Sequence, residues 1–208
     1  MSTRDRMVDA AAHVMRTRGL ARATTKEIAR EAGYSEAALY RHFRDKTDLF
    51  VAVLTERVPS TLGPVLGGLT GRVGQGSVLD TVTEVARAAI GFYELTFPMA
   101  ASVYSEPELL TAHRAALRER NAGPHLVGDA LAGYLAAEQR LGRVHRDADP
   151  RAAAELLIGA CLHHAFISSF SGEPGDADAA DRAAAALVRT LMGGLDPQRP
   201  DRPDASRE

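Results

Sequence analysis

The sequence predicts an all-α protein, and three observations lead there. Good helix formers (Ala, Leu, Arg and Glu) recur throughout, alternating β-branched runs are scarce, and apolar residues return at helical spacing in segment after segment. About nine helices are expected, the first few forming a compact three-helix unit near the N-terminus.

Each element has its own signal. In the first helix Val8, Ala11, Ala12 and Met15 share one face, and Gly19 supplies a stop. Thr24 opens a second, short helix, where its hydroxyl can accept a free amide while Glu27 reaches back in a reciprocal cap. Ile28, Ala29 and Ala32 form that helix's inner side, and Gly33 ends it. Ser35 can cap a third short helix that carries Leu39 and Phe43 inward. Asp45 and Asp48 repeat the capping-box spacing before a longer helix through Leu49, Phe50, Val53 and Leu54. Pro59 and Pro64 are expected to bend or end it.

Residues 63–76, rich in glycine, read as a loose joint. Ser77 and Asp80 open a helix expected to run to near Leu95 and to stop before Phe97-Pro98. Pro107 and Pro124 read as first-turn prolines of further helices. Asp149-Pro150 opens a long apolar helix to near Phe170, and residues 176–193 make the last one. The tail, residues 196–208, lacks any group able to anchor it and is expected to be disordered.

Composition narrows the function classes. The 208 residues are 45% apolar and 25% charged, which suits a globular chain of one domain or two small ones. The first residues, MSTRDRMVDA, are polar, so no secretory signal is read there, and no uncharged apolar stretch reaches membrane-spanning length. The single cysteine, Cys161, excludes an internal disulfide framework and suits a reducing compartment. A cytoplasmic location without a membrane partner is the expectation. The net charge of −2 hides an asymmetry: residues 1–58 hold eleven Lys/Arg against eight Asp/Glu, the rest fourteen against nineteen. That excess alone says little, because many solvated faces look the same.

The informative stretch runs from Thr24 to Lys46, TTKEIAREAGYSEAALYRHFRDK. Two short helices meet at Gly33, which can take positive φ without steric cost, and the small Ala29 sits where the helices must cross closely. This is the geometry of a helix-turn-helix, whose second helix enters the DNA major groove. With Leu39 and Phe43 inside, Ser35, Glu36, Ala37, Ala38, Tyr40, Arg41 and His42 lie at or near the groove. Small side chains at 37 and 38 let the backbone sit deep, and Arg41 is the candidate for a bidentate contact to guanine. Tyr40, His42 and Lys46 suit phosphates, as do Thr25 and Lys26 at the start of the second helix. Both lysines of the chain, Lys26 and Lys46, lie here. A plain helical hairpin in an all-α domain would show the same local pattern.

The stretch resembles the head of the TetR family of bacterial transcriptional regulators. The shared elements are the threonine opening the second helix, I-A-x-x-A-G, L-Y-x-H-F and K-x-x-L-F, over roughly residues 4–58. The resemblance implies a homeodomain-like helix-turn-helix DNA-binding domain over residues 1–58 and a helical effector-binding and dimerisation domain over residues 59–195. It also implies backbone contacts at Thr25, Lys26, Tyr40, His42 and Lys46 and base-facing positions at Glu36, Ala37, Ala38 and Arg41. Glu36 departs mildly: an acid near phosphates costs affinity unless it accepts from a cytosine amino group. The implied function is a repressor released from a palindromic operator by a small, largely apolar ligand.

Beyond residue 60 the signals are architectural. The helix from residue 150 carries apolar groups on more than one side (Leu156, Leu157, Ile158, Cys161, Leu162, Ile167), so burial on opposite faces is expected. The last helix offers Ala184, Leu187, Val188 and Leu191 as a seam. A homodimer through the last two helices fits both, although burial within one subunit explains the last seam as well. Pocket candidates are Phe92, Tyr93, Phe97, Met99, Tyr104, Tyr134, His163 and Phe166, residue types found equally in plain cores. His163 and His164 point about 100° apart on a helix and cannot chelate one ion together. Cys161 and His164 lack a third ligand, so no metal is expected. No phosphate loop, nucleophile elbow or HExxH pair occurs, so neither a cofactor nor an enzyme activity is expected.

Overall fold

A computed structural model describes residues 1–20, 23–57, 61–172 and 177–194. Among these residues it contains helices only: α1 (Thr3–Arg18), α2 (Thr25–Glu31), α3 (Glu36–Leu39), α4 (Lys46–Glu56), α5 (Leu62–Arg72), α6 (Val78–Tyr104), α7 (Pro107–Glu119), α8 (His125–Arg140), α9 (Pro150–Ser171) and α10 (Ala177–Gly193). Pro59, Asp176 and the expected disordered tail lie outside the described residues.

Helices α1 to α4 close over one buried cluster that includes Met7, Val8, Ala11, Met15, Ile28, Leu39, Phe43, Leu49 and Phe50. Ser2, Thr24, Ser35 and Asp45 each accept a backbone amide and start the four helices. Two expected reciprocal caps are only half made. Glu27 pairs with Arg18 instead of reaching back, and Asp48 accepts the Arg44 amide at 3.0 Å. In each case a stronger or nearer donor takes the carboxylate. Gly33 has φ of +78°, so the turn between α2 and α3 needs the freedom it was expected to supply.

Helices α5, α6, α8, α9 and α10 enclose a second cluster around Val82, Val85, Ala86, Ile90, Leu131, Leu135, Leu157, Cys161 and Val188. Here the structure corrects three expectations. Residues 62–72 form α5 rather than a loose joint, which is why there are ten helices. Leu62 and Leu69 are buried against α6 and α8, and that packing overrides weak glycine propensity. Pro64, expected to bend or end α4, sits in the first turn of α5, where its missing N–H is harmless. The helix opened by Ser77 does not stop before Pro98 but runs on to Tyr104, because Met99 and Val103 are buried beyond the proline. Those two residues and Leu109 of α7 belong to the first cluster, so α6 supplies side chains to both.

Helix α9 is long and apolar enough, by length and composition, to cross a membrane, which the sequence reading did not anticipate. Ala154, Leu157, Cys161 and Ala165 place one face among α6, α8 and α10. The opposite face, with Leu156, Leu162, Phe166, Ile167 and Phe170, is exposed in the single chain. Burial on both sides is therefore not achieved within one subunit.

A buried carboxylate locks two turns of the second cluster. Glu138 is 0% exposed; its Oε1 accepts the Gly74 amide at 3.0 Å, and Oε2 lies 3.4 Å from Arg143. Arg143 also donates to the Gly76 carbonyl at 2.5 Å. Gly74 has φ of +74°, and a Cβ there would stand 3.2 Å from Leu141.

Two outcomes follow. Glu138→Ala strands the Gly74 amide and takes the carboxylate from Arg143, which keeps only backbone carbonyls, and is expected to cost about 2–3 kcal/mol in urea unfolding, with Glu138→Gln costing less because it keeps an acceptor. In the first cluster, Arg4 donates to both Glu56 oxygens at 2.8 and 2.7 Å and holds that carboxyl below its usual range. A carboxylate depressed in the folded state stabilises above its unfolded pKa and loses that contribution as pH falls through the folded one. The advantage of wild type over Arg4→Gln, worth about 0.2–1 kcal/mol at pH 7, should therefore shrink below about pH 5, read as melting temperature against pH.

Candidate nucleic-acid interface

The α2–turn–α3 unit presents a short, tight reading surface. Helix α3 is one turn long, and the chain beyond it tightens. Arg41 and His42 donate their amides three residues back, to Ala38 at 3.3 Å and Leu39 at 2.9 Å. The sequence reading placed Arg41 on a continuing helix; it stands instead on the turn that follows. Phe43 still reaches the core.

Exposure divides the ten residues expected at DNA. Lys26, Ser35, Ala37, Tyr40, Arg41, His42 and Lys46 are exposed, Glu36 and Ala38 half-buried, and Thr25 only 9% exposed. Charge pairing separates the cations further. Arg4, Arg18, Arg44 and Arg57 are engaged with Glu56, Glu27, Asp48 and the pair Asp5 and Asp9. Among the described residues no carboxylate pairs with Lys26 or Arg41, and Lys46 lies over the Phe50 ring at 5.0 Å. Lys26 and Arg41 on the helix-turn-helix rim are thus without an ion-pair partner among the described residues, as are Arg16 on α1 and Arg30 on α2.

One contact was not legible in the sequence. The Thr25 hydroxyl donates to Glu36 Oε1 at 2.5 Å, and the Tyr40 hydroxyl donates to Thr25 Oγ1 at 3.3 Å. The three residues are far apart in sequence across the turn, so no local spacing announces them.

The eight pocket candidates do not share one place. Met99 belongs to the first cluster and Tyr134 to the second, beside Glu138; burial raises the Tyr134 hydroxyl pKa. Tyr104 is 70% exposed, and His163 lies on the outer face of α9. Phe97 and Phe166 meet edge to face at 5.6 Å, and Phe92 and Tyr93 at 5.4 Å, between α6 and α9 or on α6 itself. Phe170, which the sequence reading omitted, extends the first pair at 6.0 Å; its spacing of four from Phe166 was the available signal. Cys161 is buried, donates to the Ala86 carbonyl at 3.6 Å and has its thiol pushed up to about 12 by burial. At neutral pH it stays protonated, a poor metal ligand. His164 faces Glu94 at 4.0 Å instead.

The geometry has counterparts among known proteins. Residues 7–53 match the model of bacterial regulatory proteins of the tetR family, and residues 99–193 match that of the AefR-like transcriptional repressor C-terminal domain. The nucleoid occlusion factor SlmA of Haemophilus influenzae is 53% identical over 45 residues, 22% of this chain and 20% of that protein. The chain thus spans about a fifth of the length of that curated relative. The HTH-type transcriptional regulator YdgC of Bacillus subtilis is 26% identical over 205 residues, 95% of each chain. A TetR-family regulator structure from Mesorhizobium loti superposes with a TM-score of 0.73 at 20% identity, covering 92% of this chain and 95% of the other. With two models matching in chain order on this helical architecture, the protein belongs to the TetR family of bacterial regulatory proteins.

Proposed function

We propose that the protein is a transcriptional repressor that binds an inverted-repeat operator in double-stranded DNA as a homodimer and leaves it when a small, largely apolar effector binds. The observation that carries this reading is the set of exposed, unpaired cations on the α2–α3 rim, Lys26 and Arg41, beside exposed Tyr40, His42 and Lys46. Residues 1–58 act as the DNA-binding domain and residues 59–195 as the effector-binding and dimerisation domain. Lys26, Tyr40, His42 and Lys46 hold phosphates and position the head, with Ser35 and Thr25 at the same rim. Ala37 and Ala38 allow close approach to base edges, and Arg41 reads a guanine. In this reading the chain performs no chemistry of its own and works in the cytoplasm.

A second copy of the chain fits the outer face of α9. Leu156, Gly159, Ala160 and His163 line a groove there, and Phe166, Ile167 and Phe170 continue the same stripe at helical spacing. Small residues at 159 and 160 let a partner helix approach closely, and the symmetry of a two-fold axis would place two heads on paired half-sites. The likeness of the head alone to a nucleoid occlusion factor leaves regulation and chromosome binding both open. The likeness of residues 99–193 to a transcriptional repressor favours regulation. The aromatic residues Phe92, Tyr93, Phe97 and Phe166 favour an apolar effector.

Gel-shift titration against a site selected from a randomised duplex pool tests the reading. Lys46→Ala should weaken selected and random DNA alike, while Arg41→Ala should relax the preference at one base pair by about 1–3 kcal/mol; equal effects on both DNAs would remove Arg41 from base reading. For the dimer, Ile167→Asp should convert the species seen in sedimentation from dimer to folded monomer. An unchanged mass would move the interface elsewhere.

A further inference from the structure

Tyr40, Thr25 and Glu36 form a continuous hydrogen-bond chain at the edge of the reading surface. A hydroxyl has one proton to give. The Tyr40 proton goes to Thr25 Oγ1, and the Thr25 proton goes to Glu36 Oε1. Thr25 is 9% exposed and Glu36 half-buried, so the chain is partly shielded from water. While it stands, neither hydroxyl can donate to a phosphate, and the acceptor that holds the Thr25 proton is itself an anion.

We infer that Glu36 is a specificity-determining residue: it competes with DNA phosphate for the Thr25 and Tyr40 hydroxyls and lets go only where a cytosine amino group donates to its carboxylate. The inference rests on the DNA-binding reading above. Non-cognate duplex offers phosphates alone, so seating the head there leaves the displaced carboxylate facing like charge without a donor. A site with cytosine under α3 offers the exocyclic N4 amino group, the major-groove donor that suits a glutamate. There the carboxylate exchanges one hydrogen bond for another, and both hydroxyls become free for the backbone. A uniform penalty would not discriminate between sites; a penalty removed at one base does. Ala37 beside it is small and exposed, which leaves the carboxylate room to turn toward the groove.

The test compares wild type, Glu36→Gln and Thr25→Val/Glu36→Gln on a random-sequence duplex and on the best site each protein selects from a randomised pool. Glu36→Gln is expected to bind random duplex about tenfold more tightly, since the anion is gone and the hydroxyls are freed. It should lose a cytosine preference of at least about fivefold that wild type shows at one position per half-site. The double variant should lose most of the gain on random duplex, because it lacks the middle hydroxyl of the chain, the one that donated to Glu36. Equal weakening of Glu36→Gln on both DNAs would make the carboxylate a structural prop and overturn the inference, as would unchanged binding or an unchanged cytosine preference. Glu36→Ala replaces Glu36→Gln if the latter does not fold, and failure of both to fold also overturns it. If wild type bound no duplex at all, the DNA-binding reading itself would fall, a separate result.

Discussion

The fold depends on α6 remaining one helix through Pro98. A proline inside a helix removes one backbone hydrogen bond and crowds the preceding turn, at about 3 kcal/mol. Beyond it, Met99 and Val103 are buried in the cluster built by α1 to α4. Burying two such side chains contributes about 3–6 kcal/mol, enough to offset the break. Before it, Val82, Val85, Ala89 and Ile90 are buried in the other cluster. Thr96 and Ser102 donate their hydroxyls to carbonyls four residues back, Phe92 at 2.8 Å and Pro98 at 3.0 Å, a pattern that tends to bend a helix where the ladder is already weak. The two cores are thus joined by a rod whose weakest point lies between them.

That joint determines how the helix-turn-helix is carried. The α1–α4 cluster rests on the far end of α6 and on α7, which packs against α4 and contributes Leu109. His113 lies partly buried on α7 with Nδ1 unpartnered, and burial lowers its pKa, keeping it neutral on that support. Arg57, tied to Asp9 at 2.6 Å and to Asp5 at 3.4 Å, braces α4 against α1. The four-helix unit is thus cross-braced within itself, and it meets the rest of the chain through α6 and α7. Movement of the far end of α6 carries the α2–α3 rim with it.

Much of this was legible in the sequence where one local rule decides. Thr24, Ser35 and Asp45 announce helix starts by a side chain that serves its own backbone, and Gly33 announces the turn by a φ only glycine takes freely. What could not be read is what distant partners decide. The glycines of α5 argue for a joint until Leu62 and Leu69 find α6 and α8. Pro98 argues for a stop until Met99 and Val103 find the other cluster. Glu27 and Asp48 spaced themselves for reciprocal caps, yet Arg18 and the Arg44 amide claimed them. The sequence puts Thr25 and Glu36 on two neighbouring short helices, but they acquire their mutual bond only when α2 and α3 cross. The apolar groups on two sides of α9 were visible too; a single chain can satisfy only one of those sides.

If the head is released by an effector as proposed, the coupling required of α6 is modest. A hundredfold change in operator affinity corresponds to about 2.7 kcal/mol, and an effector can supply no more than its difference in affinity for the two arrangements. Uncovering one buried aliphatic side chain of the kind found at Met99 is worth about 1.5–3 kcal/mol. The segment of α6 beyond Pro98 has Met99 and Val103 in the head cluster, so a shift that withdraws either side chain is comparable with the whole requirement. No refolding of the four-helix unit is needed. In the repressor reading, the two buried contacts beyond Pro98 therefore match in size the coupling that one apolar ligand has to supply.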